Sequence, residues 1–261
     1  MLDIKAKKKF GQNFLKDESV LIKIIESMPN NQNHIVEIGP GLGDLTKKLV
    51  KYKDVTAYEV DKDLYAILRI EFINEIDKKR LDLILTDVLK IWESGSSLYK
   101  SRYDLVANLP YYIATNIILK ALDDSNCEHI IVMVQKEVAN KFVATNGDKE
   151  FSSLGVISKL LCLEAKILVE VPPTSFNPPP KVDSSVILLK KDMTKTISDD
   201  FKAFLKVAFT QPRKTLIRNL SAKWDKNILI KLFEQYNIKE LARPHEIEAS
   251  LYSQIYMQLI K

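Results

Sequence analysis

Short apolar runs recur along the first two-thirds of the chain, separated by stretches in which apolar residues return every third or fourth position. The runs lie at 35–39, 55–60, 81–86, 104–108, 130–135, 166–171 and 184–190. Runs of this length with little polar alternation predict strands buried on both faces. Between them, Leu42, Leu45 and Leu49 (i, i+3, i+7) and the segment 112–122 read as helices. Strand–helix alternation predicts an α/β fold built on a mostly parallel sheet covered on both faces. The last two strands are joined by 172–180, Pro-Pro-Thr-Ser-Phe-Asn-Pro-Pro-Pro, a stiff extended connection holding five of the ten prolines. A close final pair of strands predicts one antiparallel edge.

After about 192 the pattern changes. Phe201, Phe204, Leu205, Ala208 and Phe209 share one helical face, and helical patterns cover 213–222, 226–236 and 245–260. The expected division is therefore an α/β domain over 1–192, with a basic N-terminal arm, and an all-helical domain over 193–261.

Composition narrows the class. Hydrophobic residues are 46% and charged residues 28% of 261, which is globular and excludes a disordered tail or a fibre. No apolar run approaches the ~18 residues of a membrane helix. The positive start is not backed by an apolar stretch, so no secretory leader is expected. Cys127 and Cys162 do not make a disulfide framework, and His34, His129 and His245 lack ligand spacing, so no metal is expected. The expectation is a cytoplasmic protein with no membrane partner.

Charge adds a hint about partners. The net +5 resides entirely in 195–261, with 12 basic and 7 acidic residues, while 1–16 holds 5 basic and 1 acidic. Two basic ends around a slightly acidic body suit a polyanion held at the periphery, although a soluble lysine-rich surface explains the same count.

Ile35–Asp44 reads Ile-Val-Glu-Ile-Gly-Pro-Gly-Leu-Gly-Asp: a strand, a glycine-rich turn, then a helix. Gly39 and Gly41 would let the backbone turn sharply and approach a ligand. The spacing G-x-G-x-G differs from the G-x-G-x-x-G of dinucleotide folds. Glu59 ends the second strand, where a carboxylate can accept ribose hydroxyls. Asp87 ends the third, where it can accept from an adenine amine or simply cap a helix. Together they favour an adenosine cofactor without a pyrophosphate, and S-adenosylmethionine fits better than NAD.

The fourth strand ends in Asn108-Leu109-Pro110-Tyr111. Adenine N6 is a poor nucleophile because its lone pair is delocalised into the ring. The Asn108 side-chain oxygen and the Leu109 carbonyl can accept its two N–H bonds and aim the lone pair at a methyl group. Pro110 stiffens the turn, and Tyr111 offers a face for an extruded base. Phe176, in the proline-rich connection, is the candidate for the other face; a plug against the core is nearly as good a reading.

These residues resemble the KsgA-type (RsmA) small-subunit ribosomal RNA adenine dimethyltransferases. The resemblance runs end to end through Lys9–Leu15, Glu37–Gly43, Asn108–Tyr112, Phe176–Ser184 and Gln211–Leu216. It implies a seven-stranded, Rossmann-like class I methyltransferase sheet with a C-terminal helical domain. It implies transfer of four methyls from S-adenosylmethionine to N6 of two adjacent adenosines near the 3′ end of 16S rRNA, in a 30S assembly particle. Asn13, Leu15, Gly39, Gly41, Glu59, Asp87 and Asn108 would then hold the cofactor. Lys7, Lys8, Lys9, Arg213, Lys214 and Arg218 are the candidate RNA contacts, and the chain is expected to act as a monomer. Pro212 and the His245–Ile247 stretch depart from the family pattern. Competing readings are a 23S rRNA adenine dimethyltransferase of the macrolide-resistance type, a non-catalytic ribosome-assembly factor on the same fold and, disfavoured by the glycine spacing, an NAD oxidoreductase.

Overall fold

A computed structural model describes Lys7 and residues 12–260. Among the described residues nine strands form in chain order: β1 (Phe14–Leu15), β2 (His34–Ile38), β3 (Val55–Glu59), β4 (Leu81–Leu85), β5 (Tyr103–Asn108), β6 (Cys127–Gln135), β7 (Cys162–Val171), β8 (Phe176–Asn177) and β9 (Ser184–Lys191). Seven of them make one sheet in the order β4-β3-β2-β5-β6-β9-β7, and all seven correspond to apolar runs in the sequence. From β4 to β6 every pair is parallel. β9 runs antiparallel to β6 and lies one strand in from the edge, which β7 forms. Ile35, Val36, Leu105, Val106, Ile130 and Ile131 are fully buried, as strands covered on both faces require.

This order has a functional consequence. The chain builds outward from β2 through β3 to β4, then returns to lay β5 on the other side of β2. The sheet order therefore reverses between β2 and β5, and the connections leaving their carboxyl ends diverge. Such a switch point leaves a crevice where open α/β sheets bind ligands. The glycine turn follows β2 and the Asn108 turn closes β5, so both motifs meet at this crevice.

The chain divides into two compact units, one of residues up to Ala139 with Lys166–Lys191, the other of Asn140–Ala165 with Asp192–Lys261. The division after Lys191 coincides with the sequence boundary, but 140–165, expected in the first domain, belongs to the second unit. Its contacts explain why. Phe151 packs edge-on to Phe209 at 6.3 Å, and the Gly147 amide donates to the His245 carbonyl at 2.7 Å.

The helical patterns of the second unit become Asp199–Ala208, Leu216–Leu220, Lys226–Gln235 and Ala249–Leu259. The second is shorter than the expected 213–222. Thr215 is its N-cap, accepting from the Arg218 amide at 3.4 Å, so Arg213 and Lys214 lie in the turn before it. A helix over 213–222 would set Lys214 and Arg218 (i, i+4) on one face; with Lys214 outside the helix they do not share one, and both are solvent-exposed.

Candidate active site

At the switch point lies a cavity of about 200 Å³. Gly39, Gly41, Glu59 and Asp87 line it from the strand ends, Asn13 from just before β1 and Leu15 from β1 itself. Asn108, Leu109, Pro110 and Tyr111 close it from the end of β5. All ten come from widely separated positions, and the strand order alone accounts for their convergence.

The glycines are needed for their backbone. Gly39 and Gly41 have φ of +68° and +61°, in the left-handed region that side chains disfavour. A Cβ on Gly41 would also come within 3.2 Å of the Phe14 ring. The Gly39 amide donates to the Tyr58 carbonyl at 2.9 Å, tying the turn to β3.

Glu59 is buried at the end of β3. One carboxylate oxygen accepts from the Val60 and Asp61 amides at 2.9 and 2.8 Å, and the other, among the described residues, has only the Gly41 amide at 3.4 Å. Burial pushes its carboxyl above the ordinary range, against the pull of the three amides. The lightly used oxygen retains capacity for a ligand hydroxyl. Glu37, one strand inward, accepts from the Thr46 hydroxyl at 2.6 Å and is pushed up to about 8 by burial.

Asp87 is both a cavity residue and the N-cap of helix Val88–Glu93. One oxygen accepts from the Leu89 amide at 3.0 Å, and the other has no donor among the described residues. The two roles can be separated. Serine keeps the cap but not the second acceptor. Asp87→Ser should thus weaken binding of the S-adenosylmethionine expected from the sequence by about 1–3 kcal/mol, the cost of losing a hydrogen bond to a charged group. Calorimetry beside a thermal melt measures both, and unchanged affinity would remove Asp87 from the ligand contacts.

The Asn108 amide donates through Nδ2 to the Asn13 carbonyl at 3.2 Å. Only the donor end can face a carbonyl, so Oδ1 is left as an acceptor, with no donor among the described residues. Leu109 is anchored by its amide to the Met133 carbonyl at 3.1 Å. The Tyr111 hydroxyl shares a 2.5 Å hydrogen bond with the buried Ser184 Oγ, which fixes the half-buried ring from its far end.

Two expected site residues stand elsewhere or in other company. Phe176 does not reach the cavity: it pairs with Leu15 across β8 and β1 and is 4% exposed within the core. The ring is buried among core side chains, so the core-plug reading describes its position. Lys7 sits on carboxylates, at 2.6 Å from Asp61 and 2.5 Å from Asp63, which hold its ammonium pKa above the usual value. Lys8 and Lys9 lie outside the described residues. Gln12 and the 60%-exposed Tyr112 also line the cavity, although the sequence singled out neither for a role. Their adjacency to Asn13 and Tyr111 was the available signal.

The strand order is that of the class I methyltransferase fold. A solved dimethyladenosine transferase from Plasmodium falciparum is similar in fold, with a TM-score of 0.79 at 24% identity over 94% of this chain and 96% of that one. The 23S rRNA methyltransferase ErmE is similar with a TM-score of 0.72 at 22% identity, over 95% of this chain and 100% of that one. A family model described as ribosomal RNA adenine dimethylase matches residues 3–261. Relatives named ribosomal RNA small subunit methyltransferase A are 60% identical in Aliarcobacter butzleri, over 99% of this chain and 98% of that protein, and 50% identical in Campylobacter jejuni (strain RM1221), over 98% and 96%. The chain belongs to the ribosomal RNA adenine dimethylase family.

Proposed function

We propose that this protein transfers methyl groups from S-adenosylmethionine to N6 of two adjacent adenosines in the 3′-terminal hairpin loop of 16S rRNA. It does so as a monomer on a 30S assembly particle in the cytoplasm. The observation that carries the reading is the Asn108 amide, its acceptor end left open where the glycine turn and the strand-end carboxylates converge.

The cavity's chemistry fits the cofactor. Glu37, Asp44, Glu59 and Asp87 line it, and no lysine, arginine or histidine does among the described residues. Burial keeps Glu37 largely neutral and Asp44 pairs with Lys16 at 2.6 Å, but a lining with no cation of its own gives a diphosphate no counter-charge and suits a phosphate-free ligand. Glu59 would hold the ribose hydroxyls, Asp87 the adenine amine, and the Gly39–Gly41 turn the ligand's close approach. S-adenosylmethionine, when bound, supplies a methyl group already activated on a sulfonium.

The chain's own groups supply the positioning. Asn108 Oδ1 and the Leu109 carbonyl accept the two N–H bonds of the target amine, which favours tetrahedral character and directs the lone pair. Tyr111, tethered to Ser184, provides a fixed face for the extruded base. Most of the rate then comes from alignment and fixed dipoles rather than from a covalent nucleophile.

Arg213, Lys214 and Arg218 are exposed and suited to rRNA phosphates. Removing two of them, as in Lys214→Ala/Arg218→Ala, should weaken particle binding and flatten the log–log salt dependence by roughly 0.7–0.9 per lost contact. An unchanged slope in filter binding would leave those charges as ordinary surface.

The test of the reading offers labelled S-adenosylmethionine with separated 30S and 50S particles from a strain lacking both modifications. Label should enter the small-subunit rRNA alone. Label in 23S rRNA would favour the macrolide-resistance activity, and binding without transfer an assembly factor.

A further inference from the structure

We infer that Gln12 and Asp61 are positioning residues of the methyl-transfer site, acting through the Asn13 carbonyl to hold the Asn108 amide in its accepting orientation. This rests on the functional reading above.

An amide side chain presents an acceptor or a donor depending on which way it is turned. Asn108 is turned by one contact, Nδ2 to the Asn13 carbonyl at 3.2 Å. Whatever fixes that carbonyl therefore decides whether N6 meets an acceptor. On its far side, Phe14–Leu15 pair with Phe176–Asn177, and the Lys16 amide donates to the Ser175 carbonyl at 2.8 Å. On its near side Gln12 is held on two partners. Its Oε1 accepts from the Lys7 amide at 2.7 Å, and its Nε2 donates to Asp61 Oδ2 at 3.0 Å.

Asp61 is suited to be the fixed end. It is 2% exposed, caps helix Lys62–Glu71 through Oδ1 on the Asp63 amide at 3.1 Å, and also accepts from Lys7 Nζ. Its own amide donates to Glu59 Oε1 at 2.8 Å. One residue thus braces the proposed ribose acceptor with its backbone and the Asn108 support with its side chain. The cofactor end and the reaction end of the site are mechanically linked through it. Gln12 forms part of the cavity wall, so displacing it moves the wall and the amide together.

The Gln12–Asp61 contact has a direction, donor to acceptor, and can be reversed. Gln12→Glu sets a carboxylate against Asp61. Asp61→Asn keeps a helix-capping oxygen but turns a donor toward Gln12. Each change alone should lower single-turnover methyl transfer to 30S particles at saturating cofactor by at least ~10-fold, the scale of a small misplacement in an aligned reaction. The swap Gln12→Glu/Asp61→Asn restores one donor and one acceptor and should return the rate to within about threefold of wild type. In an Asn108→Ala background, Gln12→Glu should cost several-fold less than it does alone, since the amide it serves is gone. Gln12→Leu, which removes the donor without adding charge, is read in the same assay as a second variant, with melting curves run on all of them. Single variants at the wild-type rate, a folded swap as slow as the slower single, or losses that add to Asn108→Ala would each overturn the inference while leaving wild-type methylation intact. Absence of transfer by the wild-type protein would overturn the functional reading and this inference with it.

Discussion

Asn108→Ala is expected to slow methyl transfer by at least ~10²-fold at saturating cofactor. The substitution removes the acceptor that fixes one N–H of the target amine, and with it the aim of the lone pair. It also releases the Asn13 carbonyl, the amide's only described partner. Particle binding should change by less than about 1 kcal/mol, because phosphate contacts and base stacking supply that affinity. Cofactor affinity should fall somewhat more than particle binding, since Asn108 lines the cavity. Tyr111→Ala should show a milder form of the same split, stacking being worth ~1–3 kcal/mol per base. Single-turnover methylation run beside filter binding separates the two effects. A wild-type rate in Asn108→Ala would reduce the tetrad to a strand-end turn.

Asp124→Ala is expected to lower stability by about 3–5 kcal/mol, the scale of removing one partner from a buried polar network. Asp124 follows helix Ala114–Asp123 and is 7% exposed. Its carboxylate accepts from Trp92 Nε1 at 3.0 Å, the Ser97 and Tyr103 hydroxyls at 2.8 Å, and the Leu98 and Asn126 amides at 3.2 and 2.9 Å. Alanine would strand these donors, each costing about 1–3 kcal/mol where water cannot reach. Burial alone would raise the carboxyl's pKa, but the hydrogen bonds outweigh it and hold the group below the usual carboxylate range. Its folded pKa is therefore below its unfolded one. The stabilisation is complete above the unfolded carboxylate value, near 4, and is lost as pH falls toward the folded value. Urea titrations of wild type and Asp124→Ala should differ most at neutral pH and converge in acid. A neutral-pH difference under about 1 kcal/mol would mean that the network relaxes or hydrates. Asp124 lies near the amino end of β6, away from the strand ends that carry the site, so the rate per folded molecule should be little changed.

The parts legible in the sequence share a physical cause. Strands buried on both faces must be nearly continuous apolar runs, so all seven sheet strands could be read without a partner in view. The glycine turn and the Asn108 turn were equally visible, because backbone demands at Gly39 and Gly41 and stiffness at Pro110 are written locally. The sheet's parallel order then brings them together.

What was hidden depends on contacts between distant positions. Nothing around Phe176 announces a two-residue pairing with Phe14–Leu15, yet that pairing decides that the ring faces the core. Segment 140–165 has ordinary α/β composition, and it is distant contacts such as Phe151 against Phe209 and Gly147 on His245 that assign it to the second unit. Lys7 reads as one of three arm lysines, while Asp61 and Asp63, more than fifty positions on, take its charge. The helix start was different. Thr215 before Leu216 is a local N-cap signal, and it was outweighed by a periodicity that continues through the preceding turn.

The most direct measurement is the chemical identity of the product. Small-subunit rRNA from an unmodified strain, treated with this protein and S-adenosylmethionine, is cut to its 3′-terminal fragment and analysed by mass spectrometry of the nucleosides. Two adjacent adenosines should each carry two methyl groups on N6, with intermediates that carry one. Methyl groups on any other atom, or an unmodified fragment beside methylated 23S rRNA, would contradict the account.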